Sequence, residues 1–259
     1  MVSLKGVKMV RIISRLDVKG QFLVKPIQFE GLRKLGKTKD FALSYYKQGA
    51  DEIFYNDITA SLFNNPIDFS TINDVSNGIL VPFSVGGGVR NVEDFIRLLQ
   101  QGVDKVVINT HALANPSLIT QASSICGSQS VVVHIEAKKV GSNYECYSDC
   151  GRIPSGKDVF KWAIEAEKLG AGEIIISSID QDGMRSGFDI NLIKTLTNIT
   201  SIPIIASSGA GSLLDILNLI KIAKPDGVAI ASLIHYKIST INEIKKYLYN
   251  NGVDINYEE

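Results

Sequence analysis

The chain has 259 residues, of which 45% are hydrophobic and 21% charged, and its 27 Lys and Arg balance its 27 Asp and Glu. This composition excludes a disordered chain, and a neutral chain lacks the basic excess that nonspecific nucleic-acid binding requires. No apolar run approaches the roughly 18 to 20 residues that cross a bilayer, so we expect no membrane association.

The N-terminal segment and the cysteines indicate the compartment. Residues Met1–Arg11 mix apolar and basic side chains, without the apolar core or cleavage site of a signal peptide. The cysteines are odd in number (Cys126, Cys146 and Cys150), and a chain of this length builds a core without disulfides. We therefore expect reduced thiols, a cytoplasmic protein, and neither a metal nor a cofactor.

Short runs rich in Val and Ile alternate with longer amphipathic stretches along the chain. Such runs are typical of strands buried on both faces of a parallel sheet. In chain order the predicted strands are Val10–Leu16, Glu52–Ile58, Val81–Val85, Lys105–Ile108, Ser130–Ala137, Glu173–Ile179, Pro203–Ser207 and Gly227–Ala231. The predicted helices include Lys39–Gly49, Asn91–Gln101, Ser117–Ile125, Lys157–Gly170, Ile190–Thr197 and Leu213–Ile222. Eight strands alternating with about eight helices predict either a closed α/β barrel or an open doubly wound sheet.

An internal repeat favours the closed barrel. Gly49-Ala50-Asp51-Glu52-Ile53 recurs 121 positions later as Gly170-Ala171-Gly172-Glu173-Ile174. Three further segments recur in the same order at nearly the same spacing, so the chain reads as two four-strand halves. Each half alone would leave two open sheet edges, and joining the halves removes both. We predict a single (β/α)8 TIM barrel of the α/β class over residues 1–259, with half-barrels at about 1–125 and 126–259.

One connection is unusually long. Gly20–Thr38 separates the first predicted strand from the first helix, and a structureless loop of this length in a compact domain is usually functional. It carries several basic residues, including Lys25 and Arg33. We interpret it as a basic lid suited to an anionic substrate.

The repeat places an acid at the end of two opposite strands. Asp17 ends strand 1 and Glu136 ends strand 5, at the barrel face that carries active sites in this fold. Two carboxylates facing each other across a pocket suit general acid–base catalysis. The alternative is that each acid only caps its strand or pairs with Lys19 or Lys138. The symmetry favours the catalytic interpretation, most strongly for Asp17.

Glycines and small polar residues predict two phosphate sites related by the repeat. Backbone N–H groups at glycines approach an anion closely, and helix N-termini there add a positive dipole end. One set follows strands 3 and 4, and the other follows strands 7 and 8; they comprise Gly86–Gly88, Asn109, Thr110, Gly209–Gly211, Ala231 and Ser232. Two such sites across one pocket predict a substrate with a phosphate at each end.

The segment Asp180–Gly183 after strand 6 has two interpretations. Asp-Gly is ordinary turn chemistry. Alternatively, Asp182 and Gly183 help to hold substrate near the second phosphate. The residues alone do not separate these two.

Several motifs together resemble one family. They are Arg15-Leu16-Asp17-Val18-Lys19, VGGGVRNVEDF (85–95), DKVVINTHALANPSLI (104–119), GSQSVVVHIEAKKV (127–140), GAGEIIISSIDQDG (170–183) and IIASSGAG (204–211). They are similar to the cyclase subunit of imidazole glycerol phosphate synthase, the HisF family, over nearly the whole chain. The resemblance implies a (β/α)8 barrel that receives ammonia from a glutaminase partner subunit in a heterodimer. It also implies a bisphosphorylated, open-chain ribulosyl aminoimidazole carboxamide nucleotide as substrate.

The resemblance assigns a role to each matching position. Asp17 and Glu136 become the catalytic acids, and Lys25 the loop lysine that reaches the substrate. Substrate and phosphate binding falls to Gly88, Asn109, Thr110, Ser177, Asp182, Gly183, Gly209, Ala231 and Ser232. The ammonia gate falls to Arg11, Glu52, Lys105 and Glu173, for which a structural salt-bridge plug is an equally compatible interpretation.

Four departures from the family pattern lie at the predicted catalytic site, and none of them falls on the gate residues. The second acid is Glu136 instead of aspartate, Arg15 stands two residues before Asp17, and His134 stands two before Glu136. The long loop also contains Lys25-Pro26, where the family favours glycine after the lysine. These features resemble a paralogous branch in which the barrel and its glutaminase supply ammonia for acetamidino modification of surface sugars.

Three hypotheses follow. The first is the histidine-pathway cyclase, supported by Asp17, Lys25 and both phosphate sites. The second is the ammonia-channelling partner of sugar amidation, with altered or lost cyclase activity. The third is a different phosphosugar isomerase on a two-phosphate barrel, against which the gate residues argue. The first is preferred, by a narrow margin.

Overall fold

The computed structural model describes residues 9–257. Most of the N-terminal segment on which the expected absence of a signal peptide rests therefore lies outside the described residues. The fold is a closed parallel barrel ringed by helices, which confirms the predicted (β/α)8 architecture.

Eight parallel strands close the barrel. Their order around it is β1, β4, β5, β6, β7, β10, β11 and β12, and β12 pairs with β1 to complete the circle. Their bounds are β1 Arg11–Lys19, β4 Glu52–Asp57, β5 Phe83–Gly86, β6 Lys105–Ile108, β7 Val131–Val140, β10 Glu173–Ser178, β11 Ile204–Ser207 and β12 Gly227–Ile230. All eight predicted strands are present, most with ends shifted by one to three residues.

Alternation along each strand divides the apolar side chains between two cores. In β10, Ile174 and Ile176 belong to the large core between strands and helices, whereas Ile175 belongs to a small separate cluster. That cluster takes one residue from each of seven strands and fills the barrel interior: Ile13, Phe54, Val107, Val132, Ile175, Ile205 and Ala229. Burial on both faces explains the continuous Val and Ile runs of the sequence.

Ten helices lie in the described part of the chain, mostly outside the barrel. They are α1 Thr38–Lys47, α2 Phe69–Ser76, α3 Val92–Gln100, α4 Thr110–Ala114, α5 Ser117–Cys126, α6 Val159–Leu169, α7 Ile190–Ile199, α8 Leu213–Ala223, α9 Ser232–His235 and α10 Ile241–Asn250. Capping fixes several starts: Ser212 and Asp215 form a capping box at α8. No helix within residues 9–257 has the length and apolar content to cross a membrane.

The long connection after β1 is a hairpin, not the structureless loop expected from the sequence. Strand β2 (Phe22–Ile27) pairs antiparallel with the end of β1, and β3 (Glu30–Lys37) pairs with β2. The reason is that Leu23 and Val24 are buried apolar residues, while β3 is mostly exposed. The basic residues of this connection therefore lie on two hydrogen-bonded strands.

A second hairpin occupies the related position after β7. Strand β8 (Asn143–Ser148) continues antiparallel from β7, and β9 (Ile153–Asp158) pairs with β8. The predicted helix from Lys157 begins instead at Val159, because the Asp158 side chain caps it by accepting from backbone N–H groups. The expected boundary between the half-barrels falls at the end of α5, and that division stays a prediction.

Candidate functional site

A ring of four charged side chains lies at the base of the barrel, where its strands begin. Arg11 Nη1 is 2.6 Å from Glu52 Oε2 and Arg11 also pairs with Glu173. Lys105 Nζ is 2.9 Å from Glu52 Oε2 and 3.1 Å from Glu173 Oε1. The structure thus brings together the four residues predicted as a gate, in a closed ring of alternating charge.

Glu52 is the most enclosed member of the ring. It is 1% exposed and also accepts a hydrogen bond from Ser84. Directly above the ring, the seven apolar side chains of the barrel interior separate it from the opposite end of the barrel. That opposite end, where the strands finish, is named the mouth here.

Asp17 is buried at the mouth between two cations. Arg15 Nε donates to its Oδ1 at 2.9 Å, and Lys25 Nζ lies 3.8 Å from its Oδ2. Burial acts to raise the pKa of Asp17, but the charges of Arg15 and Lys25 outweigh it and hold the pKa below the ordinary aspartate value. Oδ2 is buried without a hydrogen-bond partner among the described residues. Asp17 is therefore a buried carboxylate enclosed by these two cations.

Glu136 faces the mouth in a different environment. Its Oε2 accepts from the Gly151 backbone N–H at 2.8 Å. Burial raises the pKa of Glu136 to about 7, although the Gly151 hydrogen bond and the Arg15 charge act to lower it. Near neutral pH this carboxyl can hold or release a proton, which Asp17 cannot.

The first of two pockets at the mouth lies beside Glu136. Among the residues that line it are Gly87, Gly88, Asn109 and Thr110, as predicted from the sequence, together with His134, Cys150 and Asp57. The β8–β9 turn closes over it: Asn109 Nδ2 donates to the Tyr147 carbonyl at 3.0 Å, and Thr110 Oγ1 accepts from Asp149 N at 3.1 Å.

That turn is the part of the site that sequence reasoning missed. Asp149, Cys150 and Gly151 all have positive φ, at 49°, 56° and 70°. Three successive left-handed residues aim the Gly151 N–H at Glu136. The alternation of buried Tyr144 and Cys146 before Gly151 was the available signal for a strand and its turn.

The second pocket lies across the mouth, on the Asp17 side. It brings together the predicted residues Lys25, Asp182, Gly183, Gly209, Ala231 and Ser232, with Arg15, Arg185, Ser207 and Ser208 in addition. Lys25 Nζ lies 3.3 Å from both carboxylate oxygens of Asp182. Gly209 has φ +111°, and a Cβ there would lie 2.2 Å from the Gly187 carbonyl oxygen, so only glycine fits.

Ser177, predicted to bind substrate, does not line either pocket. It is fully buried, its Oγ accepts from Arg15 Nη1 at 2.7 Å, and it pairs with His134 Nε2 at 2.8 Å. Burial lowers the pKa of His134 to about 3, so this imidazole is neutral. Ser177 therefore links the two residues that departed from the family pattern.

The thiols and carboxylates do not assemble a metal site. Within residues 9–257, no group of three or more His, Cys, Asp or Glu side chains is arranged to hold an ion. All three cysteines are free thiols, and Cys150 Sγ lies 2.7 Å from the Ile58 carbonyl oxygen.

Comparison with known proteins gives a consistent result. Residues 11–240 match the family described as "Histidine biosynthesis protein". A protein named imidazole glycerol phosphate synthase subunit HisF from Dictyoglomus turgidum is 45% identical over 244 residues, 94% of this chain and 96% of that relative. Proteins of the same name from Lactococcus lactis subsp. cremoris (strain SK11) and Pyrococcus furiosus are each 42% identical over 245 residues. These alignments cover 94% and 95% of this chain and 95% and 97% of the relatives.

Proposed function

Because the chain belongs to the histidine biosynthesis protein family and, within it, to the HisF subunits, we propose that it is the cyclase subunit of an imidazole glycerol phosphate synthase. It uses ammonia to split and cyclise a bisphosphorylated ribulosyl aminoimidazole carboxamide nucleotide, and imidazole glycerol phosphate is formed. The reaction belongs to histidine biosynthesis.

One observation carries this proposal. Two pockets, each lined in part by glycines and small polar residues, lie on opposite sides of one barrel mouth, and each has a buried carboxyl beside it. A substrate with a phosphate at each end, one in each pocket, would have its reacting centre between Asp17 and Glu136. The Gly88, Asn109 and Thr110 side takes one phosphate, and the Gly183, Gly209, Ala231 and Ser232 side takes the other.

The two carboxyls divide the proton transfers. Ring closure requires one group that removes a proton and one that supplies a proton. Asp17, kept ionised by Arg15 and Lys25, is the base. Glu136, with its raised pKa of about 7, is the acid. Lys25 contacts the substrate near Asp182, to which it now pairs.

Ammonia comes from a glutaminase subunit at the base of the barrel. The ring of Arg11, Glu52, Lys105 and Glu173 stands at the entrance, and the apolar interior leads from it to the mouth. The partner, the heterodimer and the gate role are parts of this proposal. The cytoplasmic location rests on the cysteine content and stays a prediction.

The test is turnover by the purified chain with an ammonium salt and the bisphosphorylated nucleotide. We expect slow cyclisation, and a loss of about 10²–10⁴-fold in the Asp17→Asn variant, the range for a general acid–base group. Asp68→Asn is the matched control, because Asp68 caps α2 away from both pockets and asparagine caps equally well. Absence of turnover, with failure to complement a histidine auxotroph, rejects the proposal.

A second candidate is favoured by Arg15. Its buried guanidinium lines the second pocket and bonds to Asp17, Ser177 and Ser207. A catalytic base held in this way fits a barrel that delivers ammonia to another enzyme, which amidates an acetamido sugar. In that case the chain with its glutaminase supports amidation but not cyclisation. Neighbouring histidine genes would favour the first function, and surface-polysaccharide genes the second.

A further inference from the structure

Two cations stand between Asp17 and the second pocket. Arg15 and Lys25 both contact the Asp17 carboxylate, at 2.9 Å and 3.8 Å. Both also line the second pocket. The same two charges therefore face a carboxylate on one side and a space suited to an anion on the other.

Arg15 is held in place across the barrel. Its side chain starts on β1, and its Nη1 donates to Ser177 of β10 at 2.7 Å and to Ser207 of β11 at 3.1 Å. Its guanidinium lies 5.8 Å from the ring centroids of Phe29 and Phe54. Its residue exposure is 3%. Charges so enclosed interact more strongly than at a surface, since little water screens them.

The two pockets differ in charge. Arg15, Lys25 and Arg185 line the second pocket, with Asp182 as its acid. None of the described residues lining the first pocket is Lys or Arg, and Asp57 and Glu136 are among them. An anion in the second pocket is therefore neutralised mainly by side chains, two of which are already engaged by Asp17.

We propose that Arg15 couples the second pocket to Asp17, because a bound anion and the Asp17 carboxylate share the same guanidinium and the same Lys25 ammonium. Coupling between two sites is reciprocal. An anion in the pocket strengthens proton binding by Asp17, and loss of the Asp17 charge strengthens anion binding. The inference rests on the proposed function only in taking the anion to be the substrate phosphate. Binding of the substrate phosphate then makes the Asp17 carboxylate a stronger base.

The experiment measures binding of inorganic phosphate to the whole chain by titration calorimetry. We expect Asp17→Asn to bind phosphate about tenfold more tightly than the unmodified chain, within the usual range of site-to-site coupling. In the Arg15→Met background, the same Asp17→Asn change should strengthen binding only about twofold, the part carried by Lys25.

Two controls separate coupling from simple affinity. Arg185 lines the second pocket, its guanidinium lies over Tyr236, and within residues 9–257 it forms no ion pair or hydrogen bond with Asp17. Arg185→Gln should weaken phosphate binding and leave the tenfold effect of Asp17→Asn intact, which also assigns the measured affinity to the second pocket. Asp68→Asn, which keeps the α2 cap and lies away from both pockets, should leave this affinity within twofold of the unmodified chain.

Either of two results overturns the coupling: an Asp17→Asn affinity within twofold of the unmodified chain, or the full tenfold effect persisting in Arg15→Met. Circular dichroism checks folding, and Asp17→Ser is the second neutral variant if asparagine is not tolerated. The cyclase assay is independent of this readout. An inactive chain with intact coupling rejects the cyclase function alone, and an active chain without coupling rejects this inference alone.

Discussion

At the scale of single residues, two carboxyls that are buried to a similar degree have pKa values shifted in opposite directions. Asp17 has a guanidinium at 2.9 Å and an ammonium at 3.8 Å, whereas Glu136 has one backbone N–H at 2.8 Å. A paired charge offsets the cost of burial, and a single neutral donor does not. The pKa of Asp17 therefore lies below its ordinary value, while that of Glu136 rises to about 7.

The raised pKa of Glu136 predicts a pH dependence of stability. A carboxyl whose pKa rises from 4.5 unfolded to about 7 folded stabilises the fold fully below about pH 4.5, and that contribution is lost as pH rises through 7. We expect the free energy of unfolding of the unmodified chain, minus that of Glu136→Gln, to fall by on the order of 3 kcal/mol between pH 4 and pH 8. Urea unfolding at several pH values measures it. A constant difference would contradict the raised pKa.

Side-chain length at position 136 predicts an effect on rate. Glu136→Asp withdraws the carboxylate from Gly151 by more than about 1 Å, and misplacement of that size changes rates by up to about a hundredfold. Since the resemblance to the HisF family implies an aspartate at this position, we expect Glu136→Asp to raise kcat for cyclisation, with Glu136→Gln as the inactive reference. A lower kcat would mean that the glutamate itself is tuned to its reaction.

At the scale of elements, the barrel strands were predictable and the two hairpins were not. Val and Ile runs such as Val131–Ile135 identify strands buried on both faces. Hairpin β2–β3 was not recognised because β3 is rich in Lys, Arg and Gly and is stabilised by pairing with β2. The β8–β9 turn depends on left-handed residues, Asp149 and Cys150, that alone give no strong turn signal.

The β8–β9 turn predicts a stability difference between two glycines. Gly151 has φ +70°, and a Cβ there would lie 3.2 Å from Ile179 and 3.4 Å from Phe29. Gly141 has φ +61° with no atom within 4 Å of such a Cβ. We expect Gly141→Ala to cost about 1 kcal/mol through backbone strain, and Gly151→Ala about 2 kcal/mol or more with overpacking added. Denaturant unfolding measures the loss of stability in both variants. Equal losses would show that the β8–β9 turn relaxes around the added methyl group without cost.

At the scale of the whole molecule, the repeat made the barrel and its paired pockets predictable from the sequence. The repeat pairs Asp17 with Glu136 and Asn109 with Ala231, and each of these residues comes at the end of a predicted strand, so their placement at the mouth could be predicted. The links across the barrel did not follow, because Arg15 meets Ser177 and Ser207 only after β1, β10 and β11 curve around one axis. The spacing of residues along the chain does not reveal which side chains will meet across a barrel interior.

The basal ring predicts a large effect of one neutral substitution. Glu52 contacts Arg11, Lys105 and Ser84 and is 1% exposed, so Glu52→Gln leaves two cations with Glu173 alone. We expect a loss of about 2–3 kcal/mol, reduced from the range for fully buried pairs because Arg11 and Lys105 are partly exposed. Glu165→Gln, which removes an exposed pair with Lys157, should cost less than about 0.5 kcal/mol. Similar losses in urea unfolding would contradict a stabilising ring.

The apolar layer between the ring and the mouth discriminates between neutral molecules and ions. Its seven side chains, Phe54 and Ile175 among them, supply aliphatic and aromatic surface along the axis. A neutral molecule of one heavy atom crosses such a layer at the cost of a few hydrogen bonds, about 2–7 kcal/mol, whereas a bare ion would lose its solvation at tens of kcal/mol. Such a layer therefore admits a small neutral molecule far more readily than an ion.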